Sequence, residues 1–379
     1  MSEWTWPAYV GIFGGLGVFM VAFLPILALQ YRQYGRFTIG RLLGAAAVSV
    51  YLVALAAYTL LPLPSTHDGW CTAAGSPLQV VPFHFLSDIA EDTRGLGTVA
   101  TLTSRATLQV VFNVVLFIPF GALLRGYLGR SVLVTTALGF AASVLIESTQ
   151  YTGIWGLYGC AYRVADIDDV ITNGLGALIG ALIAPALLWW MPQRAALAAT
   201  RGTPRKVTVW RRWMGMAVDY VLFSMVGTAA VLAYRVLFFA FTNGYPSDTD
   251  PIQVTMRTLV PAFLVFVLPA LGVGGASIGQ RALWLTWVDG PADQPRQIRG
   301  AAGVLRSLSS ASGYALLLWW GGLDVPIVSE LASNAAGFLL VLIILWPLFS
   351  RDRRGLSGTI CGVQMRDERE FAPRRQTGA

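Results

Sequence analysis

The run LQVVFNVVLFIPFGALLRGYL, residues 108–128, carries one charged side chain, Arg125, close to its end. About 20 residues of this character cross the hydrocarbon core of a bilayer as an α-helix. Only helices and closed barrels satisfy their own backbone in lipid, and the apolar residues here are continuous, not alternating, which favours the helix. Working outward from this run, similar stretches lie near 7–30, 41–62, 131–150 and 169–191. A second group lies near 214–240, 258–275, 303–321 and 332–349. The chain therefore reads as an all-α, polytopic integral membrane protein with about nine transmembrane helices.

Composition agrees with that reading. Of the 379 residues 55% are hydrophobic and only 12% charged, with a mean hydropathy of +0.60. Soluble domains carry roughly a quarter charged residues, so the charge here is too sparse to coat a water-exposed surface. The formal net charge of +7 does not point to nucleic acid, because the basic residues fall between the spans. Residues 1–6 contain Glu3 and no Lys or Arg, so the start lacks the basic region of a secretory signal and an uncleaved helix is expected.

Basic residues collect in every second connection. Arg32, Arg36 and Arg41 follow the first span; Arg125 and Arg130 follow the third; Arg194, Arg201, Arg205, Lys206, Arg211 and Arg212 follow the fifth. Arg281, Arg296, Arg299 and Arg306 follow the seventh, and Arg351, Arg353 and Arg354 the last. The alternate connections hold Asp68, Asp88, Glu91 and Asp92, then Asp166, Asp168 and Asp169, then Asp248 and Asp250. Positive charge marks the cytoplasmic side, so the N-terminus is expected outside and the C-terminus inside. The division expected is a five-helix domain over 1–191, a basic cytoplasmic linker over 192–211, a four-helix domain over 212–350 and a disordered tail over 351–379, where Arg is mixed with Asp and Glu.

The first block holds the residues with chemistry in them. Asn113 lies near the outer end of the third span, and Pro119 should kink that helix and free a carbonyl; Gly121 follows. The fourth span ends with Glu147-Ser-Thr-Gln150, which puts Glu147 and Gln150 on one helix face. A carboxylate at that depth is costly unless it is paired or faces water. Arg163 precedes Asp166, Asp169 and Asn173, which share a face, while Asp168 points away from it. Gly176 and Gly180 continue the stripe as a small-xxx-small packing surface.

Asn113-x-x-x-Phe-x-Pro119-x-Gly121, then Glu147-x-x-Gln150, then Arg163 and Asp166-x-x-Asp169-x-x-x-Asn173-x-x-Gly176, resembles the VanZ-like family of bacterial membrane proteins over residues 40–190. The resemblance implies work at the cell envelope and an association with low-level resistance to teicoplanin-type glycopeptides, with Asn113, Pro119, Glu147, Gln150, Arg163, Asp166, Asp169 and Asn173 as the matching positions. The second block resembles the RDD family, on Arg212 seven residues before Asp219, the stretch Gly275–Gly290, and Arg306 entering the next span. Transport is proposed for some members of that family. The acidic residue expected of the following span has no counterpart in 258–275.

Three functions are compatible with these residues. The outer cluster can bind or act on a lipid headgroup or a lipid-linked peptidoglycan precursor, with Arg163 offering a phosphate fork and the carboxylates and amides suiting sugar hydroxyls. The RDD-like half can instead carry an ion or small solute. Two carboxylates can also divide into acid and base for chemistry on a lipid-linked phosphate or sugar. A structural network orienting three helices is the plainer alternative. No cofactor is implied, although a divalent cation could bridge the carboxylates to a phosphate. His84, in the apolar stretch 81–85, can reach the cluster if that stretch folds over it as a lid, and His67 lies in the same connection. The histidines and cysteines lack zinc-site spacing. Cys71 and Cys160 both fall in expected outer loops and are expected to form a disulfide, whereas Cys361 falls in the tail. The pair Arg212 and Asp219, two turns apart, is expected to anchor the inner end of the sixth span, with Arg235 reaching the outer headgroups.

Overall fold

The computed structural model describes residues 5–63, 78–323 and 325–371. Eight helices among them are long and apolar enough to cross a membrane, as an all-α polytopic membrane protein requires. They are α1 (Thr5–Tyr34), α2 (Ile39–Leu60), α4 (Arg105–Tyr127), α5 (Val132–Tyr151), α6 (Ile167–Leu187), α7 (Val209–Thr242), α8 (Pro251–Ala270) and α11 (Val328–Phe349). A short helix, α3 (Phe85–Asp92), precedes α4.

The eighth of the nine expected spans, 303–321, departs from a continuous helix. It is made in two pieces, α9 (Ala301–Leu308) and α10 (Ala311–Gly322). Ser310 sits between them at φ −147°, ψ −103°, and the hydroxyls of Ser309 and Ser310 both donate to the Arg306 carbonyl. Serine side chains that capture a local carbonyl compete with the helical ladder. The broken pair still runs the length of α8: Gly303 abuts the Ala270 carbonyl at one end of α8, and Gly322 abuts Val254 at the other.

The chain divides into two compact units, Met1–Phe23 with Thr38–Leu197, and Leu24–Phe37 with Ala198–Ala379. Beside the boundaries expected at 191 and 211, the main break falls between Leu197 and Ala198, and Leu24–Phe37, which holds the end of the first span, groups with the second unit. In the first unit α6 is central. A Cβ at Gly176 or Gly180 would strike the carbonyl of Val114 or Ile118 on α4, and one at Gly121 would strike the Ala177 carbonyl on α6. On the other side Gly139 of α5 takes the Ala177 side chain and Gly174 takes Phe140. The small-residue stripe therefore lets backbone touch backbone. Pro119 lies inside α4, which ends in a wide turn over Leu123–Tyr127. The Tyr51 hydroxyl donates to the Leu116 carbonyl at 2.9 Å, next to the Val115 carbonyl that Pro119 leaves without its helical donor. Buried Arg41 closes the opposite end, donating to the Tyr127 carbonyl at 2.6 Å and lying over the Tyr127 ring.

In the second unit α7 packs along α8, with Gly227 against the Arg257 carbonyl. Beside the helices stands a three-stranded antiparallel sheet in the order β4-β3-β5, with β3 Leu285–Asp289, β4 Arg296–Gln297 and β5 Gln364–Asp367. The tail expected to be disordered is instead folded: α12 (Gly355–Ile360) and β5 belong to this unit, and Trp287 pairs with Met365 in register. The physical reason lies in Asp367, which is fully buried. Its carboxylate accepts from Arg211 at 2.9 Å, from Arg369 at 2.7 and 2.8 Å, and from the Arg205 backbone at 3.0 Å. Burial alone would raise the Asp367 carboxyl, but Arg369 and Arg211 hold it below the usual carboxylate range. Residues 372–379 lie outside the described residues.

Candidate functional site

The start of α6 organises the site. Asp166 is its N-cap, accepting from the Asp168 backbone at 2.8 Å, which satisfies a donor that the helix cannot use internally. The residue before the helix is held in turn by a two-residue parallel pairing of β1 (Leu78–Gln79) with β2 (Ala165–Asp166). The Asp166 backbone donates to Glu147 Oε2 at 2.9 Å. Glu147, buried near the end of α5, thus pins the strand that delivers Asp166.

One turn into α6, Asp169 Oδ1 accepts from Asn113 Nδ2 at 2.6 Å, which ties α6 to α4. Asn173 Nδ2 donates to Ser143 Oγ at 2.9 Å, which ties α6 to α5, and its buried Oδ1 finds no partner among the described residues. Asn113, Glu147, Asp166, Asp169 and Asn173, spread over sixty residues of sequence, are therefore brought to one end of one helix.

Two members of the expected cluster do different work. The Arg163 guanidinium donates to the Thr59 carbonyl at 3.1 Å and the Leu61 carbonyl at 2.6 Å, and Gln150 Nε2 donates to Thr59 at 2.6 Å. Both cap the last turn of α2, where carbonyls lack helical donors and a cation meets the negative end of the dipole. Arg163 is thus committed to backbone. His84 pairs with Asp88 at 3.2 Å on the exposed face of α3 and does not turn into the cluster. Its neighbours do: the backbone N–H groups of Phe83 and Phe85 donate to Asp168 at 2.6 and 2.9 Å. Asp168, which helical spacing sets apart from the Asp166–Asp169 stripe, is buried because it holds this segment. Phe83 takes a left-handed backbone, φ 64°, a strained conformation for an aromatic residue. No local pattern announces Asp168; its partners come from 83 residues upstream.

Two clefts open beside this junction. The larger, about 570 Å3, lies among α3, α4 and α6 and is lined by Asp88, Glu91, Asp92, Asp166, Asp168 and Asp169, with Arg105 as the cation among its lining residues. The smaller, about 190 Å3, is lined by Glu147 and Asp166 with apolar neighbours such as Val144 and Val170. Glu147 and Asp169 therefore face different spaces, and Asp166 lies between them. Burial raises the Asp166 carboxyl above the usual aspartate range, with nearby Asp168 and Asp88 adding to it, against the Asp168 backbone N–H and His84. Among the described residues no three His, Cys, Asp or Glu side chains are placed to hold a metal ion. In the connection between α2 and α4, Val80, Val81, Phe83, Leu86, Val99 and Leu102 present exposed apolar side chains.

Cys160 is disulfide-bonded and Cys361 is free; Cys71 and His67 lie outside the described residues. In the second unit the expected Arg212–Asp219 pair does not form. Asp219 accepts from Ser277 Oγ at 2.5 Å and from the Gly279 backbone at 2.7 Å, whereas Arg212 donates to the Arg353 carbonyl at 2.6 Å. The close approach of Gly279 to α7 brings two donors nearer to Asp219 than any guanidinium. Arg235, expected among headgroups, pairs with Asp248 at 2.8 Å and Gln253 at 2.7 Å.

No curated protein and no solved structure matches the chain. A family model described as VanZ/LLP1 matches residues 48–189, which include every element that builds the α6 junction from α2 onward. Asn113, Glu147, Arg163, Asp166 and Asp169 thus belong to a VanZ-like domain within a helical membrane protein.

Proposed function

We propose that the VanZ-like domain works at the outer face of the cell membrane, where its acidic cleft engages the polar head of a membrane lipid or lipid-linked cell-wall precursor. The observation that carries this reading is the cleft itself, six carboxylates against one arginine, in a domain whose segment 80–102 exposes apolar side chains. An interfacial segment with apolar side chains outward suits the headgroup boundary. The charge balance selects the ligand. Amine and hydroxyl groups are natural partners for carboxylates, and a bare phosphate would meet repulsion that Arg163, committed to α2, does not offset. Glu147 and Asp166 share the smaller space and Asp169 faces the larger, so the headgroup reading rests on the larger cleft and a reaction at Glu147 and Asp166 remains the second reading.

The second unit we read as an RDD-like domain. Asp219 and the quoted stretch around Ser277 and Gly279 meet through direct hydrogen bonds, which supports treating them as one motif.

The test is lipid binding by full-length protein in mild detergent, read by native mass spectrometry. Phosphatidylethanolamine should bind saturably, and Asp88→Asn with Glu91→Gln, at the exposed rim, should weaken its binding severalfold while leaving phosphatidylglycerol binding unchanged. No phosphatidylethanolamine binding, or binding indifferent to the double variant, would remove the proposal. Glycopeptide tolerance rests on the family resemblance; it is tested by expressing wild type and Asp169→Asn in a sensitive strain and comparing teicoplanin inhibition. Equal inhibition with and without wild-type protein would exclude it.

A further inference from the structure

The second unit encloses a cavity of about 530 Å3 between α7 and α11, distinct in sign from the acidic cleft. Its walls are apolar, with Met216 and Phe223 from α7, Phe266 from α8, and Ile343 from α11. Its polar end holds Arg212 and Arg306, each 3% exposed, above the fully buried ring of Trp287 at 5.2 and 4.8 Å.

These two cations are poorly compensated. Among the described residues Arg306 donates no hydrogen bond and forms no ion pair, and its Nε is buried without a partner. Arg212 donates to one carbonyl, and its Nε is likewise unpartnered. The single acid at this end, Asp219, hydrogen-bonds Ser277 and Gly279 and meets Arg306 only across space, so two cations face one carboxylate. A buried cation whose N–H groups lack acceptors is costly, and stacking over Trp287 offsets only a part. An anion placed here would balance the excess positive charge and meet the guanidinium N–H groups that lack partners. The remaining space is an apolar slot of the size that holds a small ligand, walled by helices whose Tyr220 and Ile344 are exposed where lipid would lie.

We propose that this cavity binds an anionic acyl-chain amphiphile, its carboxylate or phosphate head taken by Arg306 and Arg212 and its chain laid between α7 and α11. Arg306 supplies the planar fork that matches either head. Two sources share this chemistry, a free fatty acid and an anionic phospholipid.

The experiment is equilibrium binding to full-length detergent-solubilised protein, with oleate, phosphatidylglycerol, phosphatidylcholine and inorganic phosphate as probes. Oleate or phosphatidylglycerol should bind saturably at one site, at least tenfold tighter than phosphatidylcholine or phosphate. Which of the two binds identifies the source. Arg306→Gln should weaken binding by about ten- to a hundredfold, as loss of a charged hydrogen-bond donor does, while Arg306→Lys retains part of it. Ile343→Trp, which fills the slot without touching the polar end, should abolish binding of the acyl ligand, and it decides the matter if Arg306→Gln does not fold. Equal binding of phosphatidylcholine, equal binding of phosphate alone, no binding of either anionic amphiphile, or normal binding by Ile343→Trp would overturn the proposal.

Discussion

Asp168 and Asp169 are adjacent on α6 and serve different partners: one takes two backbone N–H groups of the 83–85 segment, the other the Asn113 amide. Asp168→Asn keeps the shape but presents an amide donor where acceptors are needed. It should destabilise the protein by about 1–3 kcal/mol in detergent thermal unfolding and expose 80–92 to protease; unchanged cleavage would show that Asp168 does not hold the segment. Asp166 contributes to the pH dependence of the cleft. Its carboxyl is raised by burial and by Asp168 and Asp88, so binding of an amine headgroup should be full above that raised value and weaken as pH falls through it. The weakening should begin above the ordinary aspartate value of about 3.9, and a titration flat down to that value would contradict the assignment. The Asp166–Asp169–Asn173 face was legible as a spacing. The commitment of Arg163 to the Thr59 and Leu61 carbonyls was not, because a guanidinium written beside acids looks like their partner until the end of α2 is placed next to it.

At the scale of elements, α6 shows a pattern that could be read and the α9–α10 pair one that could not. Gly176 and Gly180 repeat every four residues, which marks a close helix contact, and both meet α4 carbonyls. Gly176→Val places a branched side chain against the Val114 carbonyl; overpacking against backbone should cost about 3 kcal/mol or more, seen as a lowered melting temperature or loss of monodisperse protein. A variant that melts with wild type would mean that α4 and α6 separate freely. The apolar run 303–321 looks continuous because hydropathy ignores what serine hydroxyls do locally. Ser309 and Ser310 turn on the Arg306 carbonyl, and the break follows from that competition.

Across the molecule, the C-terminal segment is a structural part of the second unit. Asp367 gathers Arg205, Arg211 and Arg369, so basic residues that read as topology signals also hold the fold. Removing one partner of a buried ion network leaves the others uncompensated. Asp367→Asn should therefore cost about 3–5 kcal/mol near neutral pH. The sign with pH follows from the depressed carboxyl: its stabilisation is present above the unfolded value near 3.9 and is lost as pH falls through the lower folded value. The melting difference between wild type and Asp367→Asn should hold steady from about pH 7 to 5 and shrink below about 4. A difference that persists unchanged in acid would assign it to packing and not to the charge.

Membrane residence, the helical class and the close-packing stripe of α6 were determined by sequence alone. Each is a property of a run or a short repeat, and lipid leaves the backbone of such a run no alternative to a helix. Which carboxylates face the acidic cleft, which arginines are bound to carbonyls and which stay unpartnered beside Trp287 were decided by tertiary structure. The same holds for the sheet that takes in residues 364–367. A polar side chain in a membrane protein takes whichever partner the fold brings within about 3 Å, and here those partners lie from about twenty to more than a hundred residues away in sequence.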